Sequence, residues 1–160
     1  MLKPIKTKTA RASSGTFAII ASCYNELYVD AMLHAAREEL LRAGAHVRVV
    51  RVPGAYEIPV VAAKLARASR LTHHASLSAI ICLGVIVRGE TVHGAHIGDS
   101  VSRALMQIQL ETGIPVIHEV LLLENVEQAR VRCLDRKHNR GTEAAQTALE
   151  MTRVMKTLGG

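Results

Sequence analysis

Nine consecutive apolar residues, Ala79–Val87 (AIICLGVIV), flanked by Ser78 and Arg88, set the tightest limit on how this chain folds. The run is far too short to cross a bilayer, which takes about 20 apolar residues. It is also too uniformly apolar for a strand with one wet face. It reads as a central strand covered on both sides, as in parallel sheets sandwiched between helices.

The neighbouring segments agree with that reading. Thr16–Tyr24 is a second buried-strand candidate, followed by a helix over Glu26–Ala43 that Asn25 is placed to cap and Gly44 to stop. His46–Val52 reads as a strand, Pro53-Gly54 as a break, and Glu57–Ser69 as a helix with Pro59 in its first turn. After Ala79–Val87, the turn Arg88-Gly89-Glu90 leads into a helix from about Thr91 to Thr112, which Gly113 ends. Val116–Leu123 is a fourth strand. Asn125 and Gln128 suggest a capping box for a helix to about Leu134. A last helix, Thr142 to about Thr157, would bury Ala144, Ala148, Met151 and Met155. The order β-α-β-α-β-α-β-α-α with short connections predicts one α/β domain over residues 16–160, a four-stranded parallel sheet with helices on both faces. Residues 1–15 read as a basic arm carrying Lys3, Lys6, Lys8 and Arg11.

Composition removes several functional classes. Aromatic residues are 2% of the 160, namely Phe17, Tyr24, Tyr28 and Tyr56, too few for a sheet that stacks bases on rings. The net charge of +6 permits an anionic ligand, but outside the arm the basic residues form no block, so no nucleic-acid partner is expected. No membrane span and no secretory signal are expected either. Cys23, Cys82 and Cys133 lack metal-ligand spacing and read as reduced thiols of a cytoplasmic protein, with no metal site.

In such sheets ligands bind beyond the carboxyl ends of the strands, so chemistry is sought there. Tyr24 ends the first strand and offers a ring to a planar ligand, or merely closes the strand. Gly54 lets a backbone approach closely, and Glu57 is an acid at a helix start, a favourable place for its charge with or without a ligand. Beyond the apolar strand, Gly89-Glu90-Thr91-Val92-His93 combines helix-start amides, which hold a phosphate without any lysine, with a histidine one short turn further in. Histidine is the side chain suited to moving protons near neutral pH. Arg132 offers a fork for phosphate, but the residues alone do not select it from Arg130, Arg136 and Arg140. There is no G-x-S-x-G elbow, no G-x-G-x-x-G after the first strand and no G-x-x-x-x-G-K-[ST].

Four segments then resemble one family: VPGAYEIP (Val52–Pro59), GVIVRGETVH (Gly84–His93), ENVEQA (Glu124–Ala129) and AAQTALEM (Ala144–Met151) are similar to 6,7-dimethyl-8-ribityllumazine synthases. The resemblance implies a flavodoxin-like three-layer fold. It implies condensation of 5-amino-6-(D-ribitylamino)uracil with 3,4-dihydroxy-2-butanone 4-phosphate, releasing phosphate and water, in riboflavin biosynthesis, with no cofactor. It implies that Tyr24 stacks on the pyrimidine and that Ala55, Tyr56 and Glu57 meet the ribityl-pyrimidine, Glu57 holding hydroxyls. Val85, Ile86 and Val87 would line the pyrimidine pocket, while Glu90 and Thr91 would sit in the phosphate turn. His93 would transfer the proton, and Arg132 and His118 would reach in from a neighbouring subunit. His118 stands where the family commonly has an apolar residue, Cys23 where it often has Arg, and Gly94 and His96 where it has bulkier or aromatic side chains.

The implied assembly is a homopentamer, twelve of which close into a 60-subunit icosahedral shell in some members of the family. Cys133–Gly141 has the length found in shell formers, but Lys137-His138-Asn139 lacks the glycine many of them place before Asn, so strain at a positive φ is expected there. A flavin-binding electron carrier of the same architecture would need a Ser/Thr/Gly-rich loop after the first strand, which SCYNELY does not supply.

Overall fold

The computed structural model describes residues 15–71 and 76–158. The arm expected over residues 1–15 lies, apart from Gly15, outside the described residues. Four strands form one sheet: β1 (Thr16–Ser22), β2 (His46–Val52), β3 (Leu77–Val87) and β4 (Val116–Leu123). Their order is β2-β1-β3-β4 and every pairing is parallel. The predicted α/β architecture is therefore present, with β3 between β1 and β4 as its apolar run requires.

The helices are α1 (Glu26–Arg42), α2 (Ile58–Leu71), α3 (His93–Thr112), α4 (Val126–Ala129) and α5 (Arg140–Leu158). Alternation along the central strands builds two cores. Phe17, Ile19, Ile81 and Leu83 point to the layer of α1 and α5, while Ala18, Ile20, Ile80 and Cys82 point to that of α2 and α3. Burying the large side chains among them, Phe17, Ile19, Ile20, Ile80, Ile81 and Leu83, at roughly 1.5–3 kcal/mol each drives the collapse.

Several expected boundaries move, each for a local reason. A 3₁₀ turn over Ala55–Glu57 precedes α2, so Glu57 ends that turn instead of opening the helix. In α3 the Val92 carbonyl accepts from the Ala95 and His96 amides, so the helix opens at His93 and not at Thr91. The helix expected up to Leu134 is only α4 followed by a π-helical turn, Arg130–Leu134. Asn125 does cap it, its Oδ1 accepting from Gln128 N–H at 2.9 Å, but the Gln128 side chain turns back to Glu124 N–H.

α5 begins earlier than expected because Asn139 prepares its start. The Asn139 side chain accepts from Gly141 N–H (2.8 Å) and donates to the Cys133 carbonyl, joining the π-turn to the helix. Among the described residues Asn25 is the only non-glycine with positive φ, so His138, which stands where a glycine would precede Asn139, does not carry the expected positive-φ strain. Arg140 then forks onto Glu119 of β4 at 2.9 and 3.1 Å. Burial pushes the Glu119 carboxyl up, against the opposing pull of Arg140.

The buried face of α5 is Gly141, Ala144, Ala145, Ala148 and Thr152, a stripe of small residues against α1. Ala144 and Ala148 are where the pattern puts them. Met151 is only partly buried and Met155 faces outward. Cys82 and Cys133 are buried and Cys23 is exposed, all three as free thiols. No helix of the described residues is long and apolar enough to cross a membrane.

Candidate active site

The chain goes from β1 outward to β2 and then back across to β3, so the strand order reverses between β1 and β3. A sheet opens a crevice at its carboxyl edge where such a reversal occurs. Here the crevice is a cleft of about 640 Å³ on the α2–α3 face.

Each wall of the cleft has a structural cause. β1 ends at Ser22, and its pairing with β3 stops at the Ala21–Leu83 pair, while β3 runs on to Val87. Val85, Ile86 and Val87 thus extend past their neighbour and form one wall. Cys23 N–H and Tyr24 N–H still bond to the Val52 and Pro53 carbonyls, which holds the turn after β1 against the turn after β2. This sets the Tyr24 ring against Gly54: a Cβ on Gly54 would lie 3.1 Å from the ring. Tyr24 is 72% exposed and Tyr56 63%, so both rings stand ready to be covered by a ligand or another subunit.

Glu57 is held by the turn it ends. Its Oε2 accepts from Gly54 N–H at 2.9 Å, which leaves Oε1 to take a ligand hydroxyl. Ala55, Tyr56 and Glu57 all line the cleft.

The third wall is α3. His93 is its first residue, and the helix has no side-chain cap. The earliest helical amides therefore point out of the helix end with no internal acceptor, next to an imidazole. Glu90 and Thr91 are exposed in the turn that leads in and do not line the cleft itself. Arg88 anchors the base of this turn, with its N–H on the Leu123 carbonyl and its guanidinium on both oxygens of Glu124.

Two residues expected to enter the site from a neighbouring subunit lie away from the cleft of their own chain. Arg132 belongs to the π-turn, which packs on α1, on the opposite side of the sheet from His93. His118 is exposed on edge strand β4, where its Nε2 lies 2.8 Å from Ser102 Oγ; that hydroxyl donates to the Gly98 carbonyl and so accepts from the ring. Neither lines the cleft.

Besides Asn25, which offers an amide at the end of the first strand but was not among the expected site residues, the cleft is lined by three residues not read as site residues from the sequence: His96, Ile97 and Ser100. These three follow His93 by three, four and seven positions, one face of a helix, so that signal was present. Asn25 was read as a helix cap, but its side chain makes no cap hydrogen bond; its Nδ2 instead donates to the Val85 carbonyl at 2.8 Å.

Comparison with known proteins gives a consistent result. A profile of the family described as 6,7-dimethyl-8-ribityllumazine synthase matches residues 14–156. A 6,7-dimethyl-8-ribityllumazine synthase of Stenotrophomonas maltophilia (strain K279a) is 42% identical over 148 residues, 91% of this chain and 92% of its own. Proteins of the same name from Xanthomonas campestris pv. campestris (strain B100) and Desulfotalea psychrophila are 41% and 40% identical over 151 residues, 92% of this chain and 94% of theirs.

Proposed function

This chain belongs to the 6,7-dimethyl-8-ribityllumazine synthase family, and from that premise we propose that its cleft condenses 5-amino-6-(D-ribitylamino)uracil with 3,4-dihydroxy-2-butanone 4-phosphate. The observation that carries this is the convergence at one cleft of a stacking ring, a carboxylate for hydroxyls, a protruding strand tip and a histidine at an uncapped helix start.

The roles follow from chemistry. The pyrimidine stacks on Tyr24 and lies along Val85–Val87, with its ribityl chain toward Glu57. Its 5-amino group attacks the ketone and water leaves to give an imine. Elimination of phosphate needs a proton taken from carbon while the departing anion is held. His93 takes the proton, and the amides at the start of α3, with Glu90 and Thr91 in the approach turn, hold the phosphate. Ring closure with loss of water completes the lumazine. The reaction moves no net electrons, so no redox cofactor is needed. Mixing the two compounds with the protein and following the lumazine absorbance and released phosphate tests this; neither signal rising above the uncatalysed rate would refute it.

We further propose that the working site is shared between subunits. Arg132 and His118 lie outside their own chain's cleft, and Leu27, Val60 and Leu110 are large apolar side chains left exposed. A homopentamer places Arg132 of one subunit at the phosphate end of the next. The uninterrupted turn before α5, free of strain at His138, favours assembly of twelve pentamers into a shell. Free cysteines suit a cytoplasmic enzyme. Light scattering is expected to give a mass of five subunits or a multiple of five, and a monomer would overturn the shared site.

Arg132→Ala is expected to raise KM for the butanone phosphate by about 10–100-fold while leaving KM for the pyrimidine within about twofold, since one charge-assisted phosphate contact is lost. Steady-state kinetics with each substrate varied in turn distinguishes this from a structural role, which would move both constants together. Co-expression of Arg132→Ala with His93→Ala subunits should restore part of the activity, because some contacts then carry both intact residues.

A further inference from the structure

Asn25 combines two observations that neither its place before α1 nor the roles above explain. It is the only described non-glycine residue with positive φ (55°), and its side chain reaches across to the Val85 carbonyl, sixty positions away. A residue in the left-handed region costs about 1 kcal/mol or more, less for asparagine than for most. A side-chain helix cap does not account for it: the Asn25 carbonyl accepts the first amides of α1, from Tyr28 and Val29, but its side chain makes no cap hydrogen bond.

The geometry of β3 does account for it. Ile80 N–H and Arg88 N–H bond to carbonyls on the β4 side, so even-numbered residues of this strand direct their backbone groups toward β4. Val85 is odd-numbered and faces the other way, toward β1. There the β1 pairing has already stopped, at Leu83. The left-handed turn at Asn25 takes the main chain off into α1, and the Asn25 amide takes the place of the missing strand, supplying one ladder hydrogen bond.

We propose that Asn25 is a positioning residue that clamps the tip of β3 to the turn carrying Tyr24, and so fixes the width of the slot into which the pyrimidine inserts. Tyr24 and Val85–Val87 line one cleft, and the Asn25 side chain links the turn that carries the ring to the strand tip. The inference rests on the substrate assignment above for the identity of what enters the slot, but not for the clamp itself.

Two substitutions separate the backbone from the side chain. Asn25→Gly keeps the left-handed turn without strain and removes the donor. Asn25→Asp keeps the shape and the tolerance for positive φ but offers Val85 only acceptors. In both, hydrogen exchange of the ligand-free protein should speed up in the peptide covering Val85–Val87 and stay unchanged in α5. In both, KM for the ribitylaminouracil should rise roughly tenfold, with KM for the butanone phosphate within about twofold, as expected when one hydrogen bond that orders a single wall is lost. Unchanged exchange at the β3 tip would overturn the clamp, whatever the substrate proves to be. Faster exchange with an unchanged pyrimidine KM, or equal rises for both substrates, would overturn its role in the slot. Wild-type protein that forms no lumazine refutes the functional assignment and leaves the exchange result to decide the clamp.

Discussion

His93→Ala is expected to lower kcat about 100-fold, with the protein folded and assembled as before. His93 is exposed at the first position of α3, where its side chain contributes no core contact and no cap. Removing it therefore costs little stability. A positioned acid or base contributes about 10²–10⁴-fold to a proton transfer, and the low end applies where the remaining walls still align the reactants. KM for either substrate should change little, because the imidazole is asked to act on a proton that moves only during the reaction. An unchanged kcat would remove His93 from the mechanism and shift attention to His96, which lines the same cleft one turn along.

Gly141→Ala is expected to be the most damaging alanine substitution among the described glycines. A Cβ at Gly141 would stand 2.0 Å from the Met32 carbonyl oxygen and 2.7 Å from its Cα, inside the backbone of α1. A flexible side chain could turn away, but a helix backbone can yield only by moving the whole of α1 or α5. Both helices are pinned: Met32 and Ala36 are fully buried, and Arg140 holds the start of α5 to Glu119. Overpacking of this kind costs about 3 kcal/mol, which lowers Tm by about 10 °C in a chain of this size. Gly98→Ala is the matched control. Its Cβ would meet Leu122 at an ordinary 3.6 Å within a helix that favours alanine, so Tm should hold or rise slightly. Thermal unfolding of the two variants side by side tests the difference; equal stabilities would mean that α1 and α5 are not in the contact described here.

How far the residues alone reach is clear from particular elements. The apolar run of β3 called for two covering layers, because a strand with no polar position has no face to give to water, and those layers are there. The strand ends, and with them Tyr24, Ala55–Glu57, Val85–Val87 and His93, could be placed at one edge because parallel strands joined by helices all point the same way. Helix ends were less legible. α3 starts two residues late because its first carbonyl acceptor is Val92, a choice among neighbouring backbones that no side chain announces. The π-turn after α4 was not legible either, and it is followed by a side-chain bond from Asn139 to the Cys133 carbonyl six positions back that no periodicity announces.

What the amino-acid sequence determined by itself was therefore periodic and local: which segments are strands and helices, which faces turn inward, and which chemical groups lie at the carboxyl edge. Only the tertiary structure decided what crosses between segments far apart in the chain. It brought Asn25 onto Val85 and required that residue 141 have no side chain. The physical reason is range. Hydrophobic periodicity repeats every two or three to four residues and is written in the order of the chain, whereas a hydrogen bond or a steric limit of 2–3 Å depends on which two distant backbones the packed layers finally bring together.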